Sequence, residues 1–327
     1  LIALFKQKAP GTIAILFIAG LLLKLPLFTQ TALLTAPTDG PMFRPLADWI
    51  GRGYAAAPGA LAFVLLFAGA LILNSAVNQY RMTSRQTFLP ALSYLLITSL
   101  VPEWSFLSAP LCAALLLELA FVLTLRLYGA QNASGRIFNI GLLTGLAGFF
   151  YPPALLFGGI ALLGLMVLRP LRVNELFLLL LGVLTPTYFY AIVLFLYDRL
   201  QWKMLVPQLH FEVIERPASY TVLGAIVLLV MPFLLGSYYV QASLRKMLIQ
   251  ARKNWSLVLF WLLLAVGIPF LGNSGQYTPW LLVAAPLAAF HACAFLYPSR
   301  NWVSLLLFFV ILMYILALQY GIAMVRK

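Results

Sequence analysis

Four polar side chains near the start of the chain have the types that chemistry at a phosphate needs. Lys24 stands in the apolar run "LLLKLPLF" (21–28), and "APTDGPMFRPLADWI" (36–50) follows with Asp39, Arg44 and Asp48. A carboxylate can take the proton of an attacking hydroxyl, or hold a divalent cation against a phosphate. A lysine and an arginine can offset charge developing on that phosphate. Plainer readings stand beside these. A lysine near a helix end snorkels to the interface, "TDGP" (38–41) is a turn sequence in its own right, and Asp48 next to Trp49 suits a solvated interfacial position.

Other candidates are more scattered. Glu118 in "LLLELAF" (115–121) is a carboxylate inside an apolar run, and such a group is a functional hypothesis by default. Its possible partners are Lys24, Arg126 and His291 in "AAFHACAF" (288–295); a Glu118–His291 relay would suit a transporter. His210, Glu212 and Glu215 are metal-ligand types without the i, i+4 histidine pair, so they read as an exposed interfacial face, and no metal site is predicted. Walker A, G-x-S-x-G and H-E-x-x-H patterns are all missing from the sequence. Cys112 and Cys293 fall in apolar runs with no Cys-x-x-Cys pair, which predicts small packing residues and no disulfide.

These residues have to be positioned by a membrane bundle. The chain is 63% hydrophobic and 9% charged with mean hydropathy +0.99, where a soluble domain carries about 25% charged residues. Apolar runs recur from end to end and predict an all-α, polytopic transmembrane bundle of about eleven spans, within a range of about nine to twelve. They lie at about 11–34, 57–77, 87–101, 106–125, 138–152, 153–168, 176–197, 220–242, 255–272, 280–297 and 302–323. The first reads as a retained helix, since no A-x-A cleavage signal accompanies it. "YPP" (151–153) breaks the run 138–168, because paired prolines remove two backbone donors and disfavour helix before them. Gly141, Gly145 and Gly148 predict close helix packing. "FRPLADWIGRGY" (43–54) and "DRLQWKMLVPQLHFEVIERPASY" (198–220) read as amphipathic pieces in the interface.

Charge orients this threading. With the N-terminus inside, 13 cations are cytoplasmic and 7 external, which fits the positive-inside rule. The inner set includes Lys6, Arg81 and Arg85, together with Arg169, Arg172, Arg245, Lys246, Arg252 and Lys253, the last six read as topology anchors, and the face they form attracts anionic lipid headgroups. The net charge of +13 therefore calls for no nucleic acid.

The order of features resembles the GT-C-type polytopic glycosyltransferases. A first span ends in "KLP", an acidic outer loop and a short amphipathic helix follow, and then come short spans and "GLLTGLAGFFYPPALLFGGIALL" (141–163) with a basic inner turn. The resemblance covers roughly residues 1–200. It implies a polyprenyl-phosphate-linked sugar donor at the outer face, and an acidic residue of the first outer loop as acid–base or metal-binding group. Asp39 matches that position and Asp48 matches it less well; Lys24 and Arg44 would meet the phosphate. The chain also resembles an uncharacterised inner-membrane family of Bacteroidota, whose members begin with a similar "FK…KxP" lead into "LxLKLP".

The expectation is one integral membrane domain over 1–327, with a GT-C-like part at about 1–200 and further helices over 220–323. It would sit in a bacterial inner membrane with a cytoplasmic N-terminus and act on lipid-linked sugars in cell-envelope glycan assembly. A divalent cation is the cofactor this would allow; the partners are membrane lipids and a polyprenyl-phosphate sugar. The alternatives are a non-catalytic scaffold subunit of an envelope or secretion complex, with a membrane-protein partner, and a transporter or lipid flippase.

Overall fold

The computed structural model describes residues 2–7, 11–28, 33–201, 205–206, 220–271 and 276–325. Within them the chain is helical, and its only β-type pairing is an isolated bridge between Leu33 and Leu107. The helices are α1 (Ile2–Phe5), α2 (Thr12–Leu23), α3 (Phe43–Gly51), α4 (Ala57–Gln79), α5 (Leu89–Leu100), α6 (Ala109–Leu125), α7 (Ser134–Phe150), α8 (Gly158–Leu168), α9 (Val173–Leu196), α10 (Tyr220–Ser243), α11 (Ile249–Gly267), α12 (Ala284–Leu296) and α13 (Asn301–Val325). The expected all-α bundle is therefore what forms.

Proline sets several starts. Pro58, Pro90 and Pro110 stand in the first two positions of α4, α5 and α6, where the missing N–H has no partner to lose. The expected break at "YPP" is present: α7 stops at Phe150, Tyr151 is extended, and a 3-10 turn over Pro152–Phe157 leads into α8.

Among the described residues six helical runs are long and apolar enough to cross a membrane, from Ala57–Gln79 to Asn301–Gln319. Four shorter apolar helices of 10–17 residues lie with them: Thr12–Leu23, Leu89–Leu100, Ala109–Leu125 and Pro152–Leu168. The protein is thus a multi-pass membrane protein. The run Thr278–Leu296 is 94% buried and forms the centre, whereas Val173–Leu196 is 17% buried and turns Phe177, Leu180, Leu181 and Leu184 outward. An apolar helix left open on most of its circumference needs lipid to cover it.

Hydrogen bonds between loops sort them into two ends of the bundle. One end joins Leu34 to Leu107, Gly40 to Phe150 and Trp104 to Tyr277. The other joins Phe5 to Phe88, Met82 to Trp255 and Ser84 to Tyr297. The 23 residues of α4 run from the first end to the second, a rise of about 34 Å.

The glycines of α7 pack as expected. A Cβ on Gly141 or Gly145 would meet the backbone of α9 at Leu179 or Val183, so α7 and α9 approach to backbone contact. Both cysteines are buried and free, as expected.

Lys24 departs from the snorkelling reading. It caps the C-terminus of α2 but is only 1% exposed, and its Nζ donates to the Thr98 carbonyl at 2.7 Å and the Ser105 hydroxyl at 2.6 Å. The end of α5 leaves carbonyls unpaired, as every helix C-terminus does, and the ammonium finds them more readily than water. Of the two expected amphipathic pieces, 43–54 is seen as α3, with Phe43, Ala47 and Ile50 inward and Arg44, Asp48 and Trp49 outward. Most of 198–220, with Trp202, His210, Glu212 and Glu215, lies outside the described residues.

Candidate functional site

A short loop folded onto a helix end builds the site. The last carbonyls of a helix have no partner within it, and at α7 those of Phe149 and Phe150 accept from Met42 N–H at 3.2 Å and Gly40 N–H at 2.8 Å. Gly40 is required by that approach, because a Cβ there would run into the Phe149 carbonyl. The loop therefore lies flat on the end of α7 and carries Asp39 with it.

Asp39 is held from its own side too. Its backbone N–H donates to the Ala36 carbonyl at 3.1 Å, and its Oδ2 accepts from the Ala36 N–H at 2.6 Å. These are the turn bonds expected of "TDGP". The residue is 8% exposed, and burial pushes its carboxyl up from 3.8 to about 6, against the opposing pull of the Ala36 N–H and the Arg44 charge. Arg44, in the first turn of α3, is fixed by donating to the Pro37 carbonyl at 2.7 Å.

The loop, α7, the 3-10 turn and α9 enclose a cavity of about 560 Å³. Asp39, Thr38 and Arg44 supply its polar wall, and Phe149, Leu155 and Tyr190 stand on the apolar side. Phe149 and Tyr190 meet edge to face with ring centres 5.4 Å apart. Thr38 Oγ1 is buried, with no hydrogen-bond partner among the described residues, and so is the hydroxyl of Tyr151, on which the Asp39 charge acts. One buried carboxylate and one guanidinium on the same wall, with the unpaired Thr38 hydroxyl and an apolar side, can bind a sugar or a phosphate and move a proton.

Two of the four predicted site residues are brought together here, Asp39 and Arg44. Asp48 is exposed on the outer face of α3 and Lys24 is tied to α5, and neither lines the cavity. Thr38, Tyr151 and Tyr190 were not anticipated. Only "YPP" hinted at Tyr151, by marking where α7 must end.

Among the described residues Asp39 is the sole carboxylate on the cavity wall, which it shares with a guanidinium, and those residues contain no group of three His, Cys, Asp or Glu able to hold a metal. Hard divalent cations take several oxygen ligands.

The relay candidates have different recorded neighbours. Glu118 on α6 faces Gly69 and the Tyr94 hydroxyl: a Cβ on Gly69 would stand 2.8 Å from its Oε2 and 3.0 Å from Tyr94 Oη. His291 on α12 instead shares a 2.9 Å hydrogen bond with the Leu229 carbonyl of α10. Arg169 pairs with Glu175 at 2.9 Å, which anchors the turn between α8 and α9.

The fold is similar to that in the crystal structure of ArnT from Cupriavidus metallidurans bound to undecaprenyl phosphate, with a TM-score of 0.55 at 11% identity. The likeness covers 90% of this chain and 62% of that one, so it runs beyond residues 1–200, and the chain spans less than two thirds of the neighbour's length. It shows the fold, which is GT-C-like. No curated protein matches the sequence. The family described as "Family of unknown function (DUF6427)" matches residues 53–325.

Proposed function

The chain belongs to the DUF6427 family, and from that premise we propose that it transfers a sugar from a polyprenyl-phosphate carrier at the Asp39 end of the bundle. One observation carries the reading: a buried carboxyl raised to about 6 lies on the wall of a 560 Å³ cavity with Arg44 beside it. The GT-C-like fold supports it.

In the proposed step, Asp39 takes the proton of an acceptor hydroxyl as that oxygen bonds to the anomeric carbon. The bond from this carbon to the phosphate oxygen breaks, and the lipid phosphate leaves with the electron pair. A base with a pKa near 6 is about ten-to-one ionised at pH 7 yet stronger than an ordinary aspartate. Arg44 offsets the charge on the departing phosphate. Phe149, Leu155 and Tyr190 offer apolar surface to the sugar ring and the first prenyl units. Lys24 and Asp48 take no part in the step, since neither lines the cavity.

The same reading makes 1–327 one integral membrane domain in a bacterial inner membrane, serving cell-envelope glycan assembly. The buried core that runs continuously from Ile2 to Ile315 supports a single domain. The 13-to-7 cation bias supports a cytoplasmic N-terminus and an outward Asp39 cavity.

The test is turnover. The purified chain, reconstituted with polyprenyl-phosphate-linked sugars and candidate acceptors, should release polyprenyl phosphate, and Asp39→Asn should lower that rate by about 10²–10⁴ while the helical signal is kept. Undiminished turnover in Asp39→Asn would remove the base. A stoichiometric protein partner, with no turnover and no bound polyprenyl phosphate, would establish the scaffold reading instead.

A further inference from the structure

The opposite end of α4 carries a second cavity, of about 540 Å³, and its wall has the reverse chemistry. Arg81, Arg85 and Lys246 line it, and no carboxylate does among the described residues. Among the described residues, no acidic side chain pairs with any of the three. The Arg85 charge also bears on Lys6 close by, so the excess of cations extends beyond the wall. Three like charges around one space repel one another.

Lys246 stands in the turn after α10, and the loop that carries Arg81 and Arg85 is held firmly. Asn78 clamps it by donating to the Thr87 carbonyl at 2.8 Å and accepting from the Thr87 N–H at 3.0 Å. Trp255 donates to the Met82 carbonyl at 2.9 Å, and Thr83 to the Arg85 carbonyl at 2.9 Å. Arg81 sits at φ 47°, a left-handed conformation that costs an L residue with a side chain about 1 kcal/mol or more. A loop free to relax would place a glycine there; this one keeps an arginine in strain. The Ser84 N–H donates to Tyr297 Oη at 3.0 Å, which leaves the tyrosine's own O–H proton to donate elsewhere. The wall thus offers two guanidinium groups, an ammonium and a hydroxyl, all donors.

Its rim is apolar. Met247 lines the cavity, and Leu248, on its wall, is 61% exposed next to Ile249 at 58%. Cations inside with bare aliphatic side chains at the mouth match an anionic group joined to a hydrocarbon chain.

We infer that this cavity binds a phosphate group, free or carried as the headgroup of an anionic lipid, held by Arg81, Arg85, Lys246 and the Tyr297 hydroxyl. The inference is independent of the sugar-transfer reading, because it uses none of the same residues and lies at the other end of the bundle. It gathers cations that lie far apart in the sequence into a single site.

The experiment uses the full-length protein in mild detergent. Phosphatidylglycerol and phosphatidylcholine are titrated in native mass spectrometry, and inorganic phosphate is titrated against chloride in thermal melts. The cavity variant combines Arg81→Gly, which suits the backbone already present, with Lys246→Gln. The control, Arg245→Gln with Arg252→Gln, removes the same charge from the same end outside the cavity wall. The intact protein should retain phosphatidylglycerol over phosphatidylcholine, and the cavity variant should lose that preference by about fivefold per cation removed, while the control keeps it. Stabilisation by inorganic phosphate without lipid preference, again lost only in the cavity variant, assigns the site to a free anion. Equal losses in cavity variant and control, or no discrimination by either probe, overturn the inference. The melting temperature without ligand separates lost binding from lost folding: Arg81→Gly should leave it level or raise it.

Discussion

The two ends of the bundle hold cavities of nearly equal volume, about 560 and 540 Å³, built by opposite means. At one end a loop lies on a helix terminus and places a single buried acid beside one arginine. At the other, a loop clamped by Asn78, Trp255 and Tyr297 sets Arg81 and Arg85 against Lys246 from the turn after α10, with no acid on the wall among the described residues. The fold supplies the space in both cases, and loop chemistry decides its use. An acid raised to about 6 by burial can exchange a proton near neutral pH, whereas the arginine and lysine side chains of the other wall offer donors for an anion. The first end is suited to a reaction and the second to holding an anion. The second lies wholly within the family-matched residues 53–325, and the Asp39 loop lies before them.

The strongest way to break this contrast is to lift the acid off its support. Gly40→Val would push side-chain atoms into the Phe149 carbonyl and detach the loop from α7. Overpacking of this kind costs about 1–3 kcal/mol. Turnover should fall to the level of Asp39→Asn, with a lowered melting temperature, while lipid retention at the basic end stays intact. Loss of function at both ends would mean that the two cavities are not independent.

A finer test uses pH. With Asp39 as base, the rate should climb as pH rises through about 6 and level off above it. Arg44 pulls that carboxyl down, so Arg44→Gln should move the midpoint of the pH–rate profile to higher pH and slow turnover several-fold at pH 7. Stability runs the other way. A carboxyl whose folded pKa is raised from 3.8 to about 6 contributes stability that is complete below 3.8 and is lost as pH rises through 6. Asp39→Asn should therefore melt above the parent at pH 7.5 and level with it at pH 4. A pH–rate profile unmoved by Arg44→Gln would separate the arginine from the acid.

What could be foreseen followed from how local the signal is. "TDGP" exposes Asp39 because turn chemistry is written in four adjacent residues, and "YPP" fixes the end of α7 for the same reason. The glycines of α7 announce a close neighbour without naming α9. Lys24 defeats the reading because its partners, Thr98 and Ser105, lie 74 and 81 positions further on, and only the packed fold sets α2 against α5. Tyr151 passes as one more aromatic in an apolar run until its buried hydroxyl is found without a partner among the described residues. At the basic end every charge was visible and the cavity was not, since Arg81 and Lys246 meet only when α4 and α10 finish at the same end.

The smallest expected effect tests whether position, and not acidity alone, makes the difference. Asp48 shares α3 with Arg44 and follows Asp39 by nine residues, so charge and neighbourhood hardly distinguish the two acids. Structure does, because Asp48 stands exposed on the outward face of a short amphipathic helix and no part of it lines the cavity. Water already solvates it, and a surface substitution away from caps and buried pairs changes stability by about 0.5 kcal/mol at most. Asp48→Asn should therefore keep turnover within about twofold of the parent and leave the melting temperature unmoved. If it matched Asp39→Asn instead, the proton would be leaving by the face of α3, and the acid that defines this end of the molecule would be the exposed one.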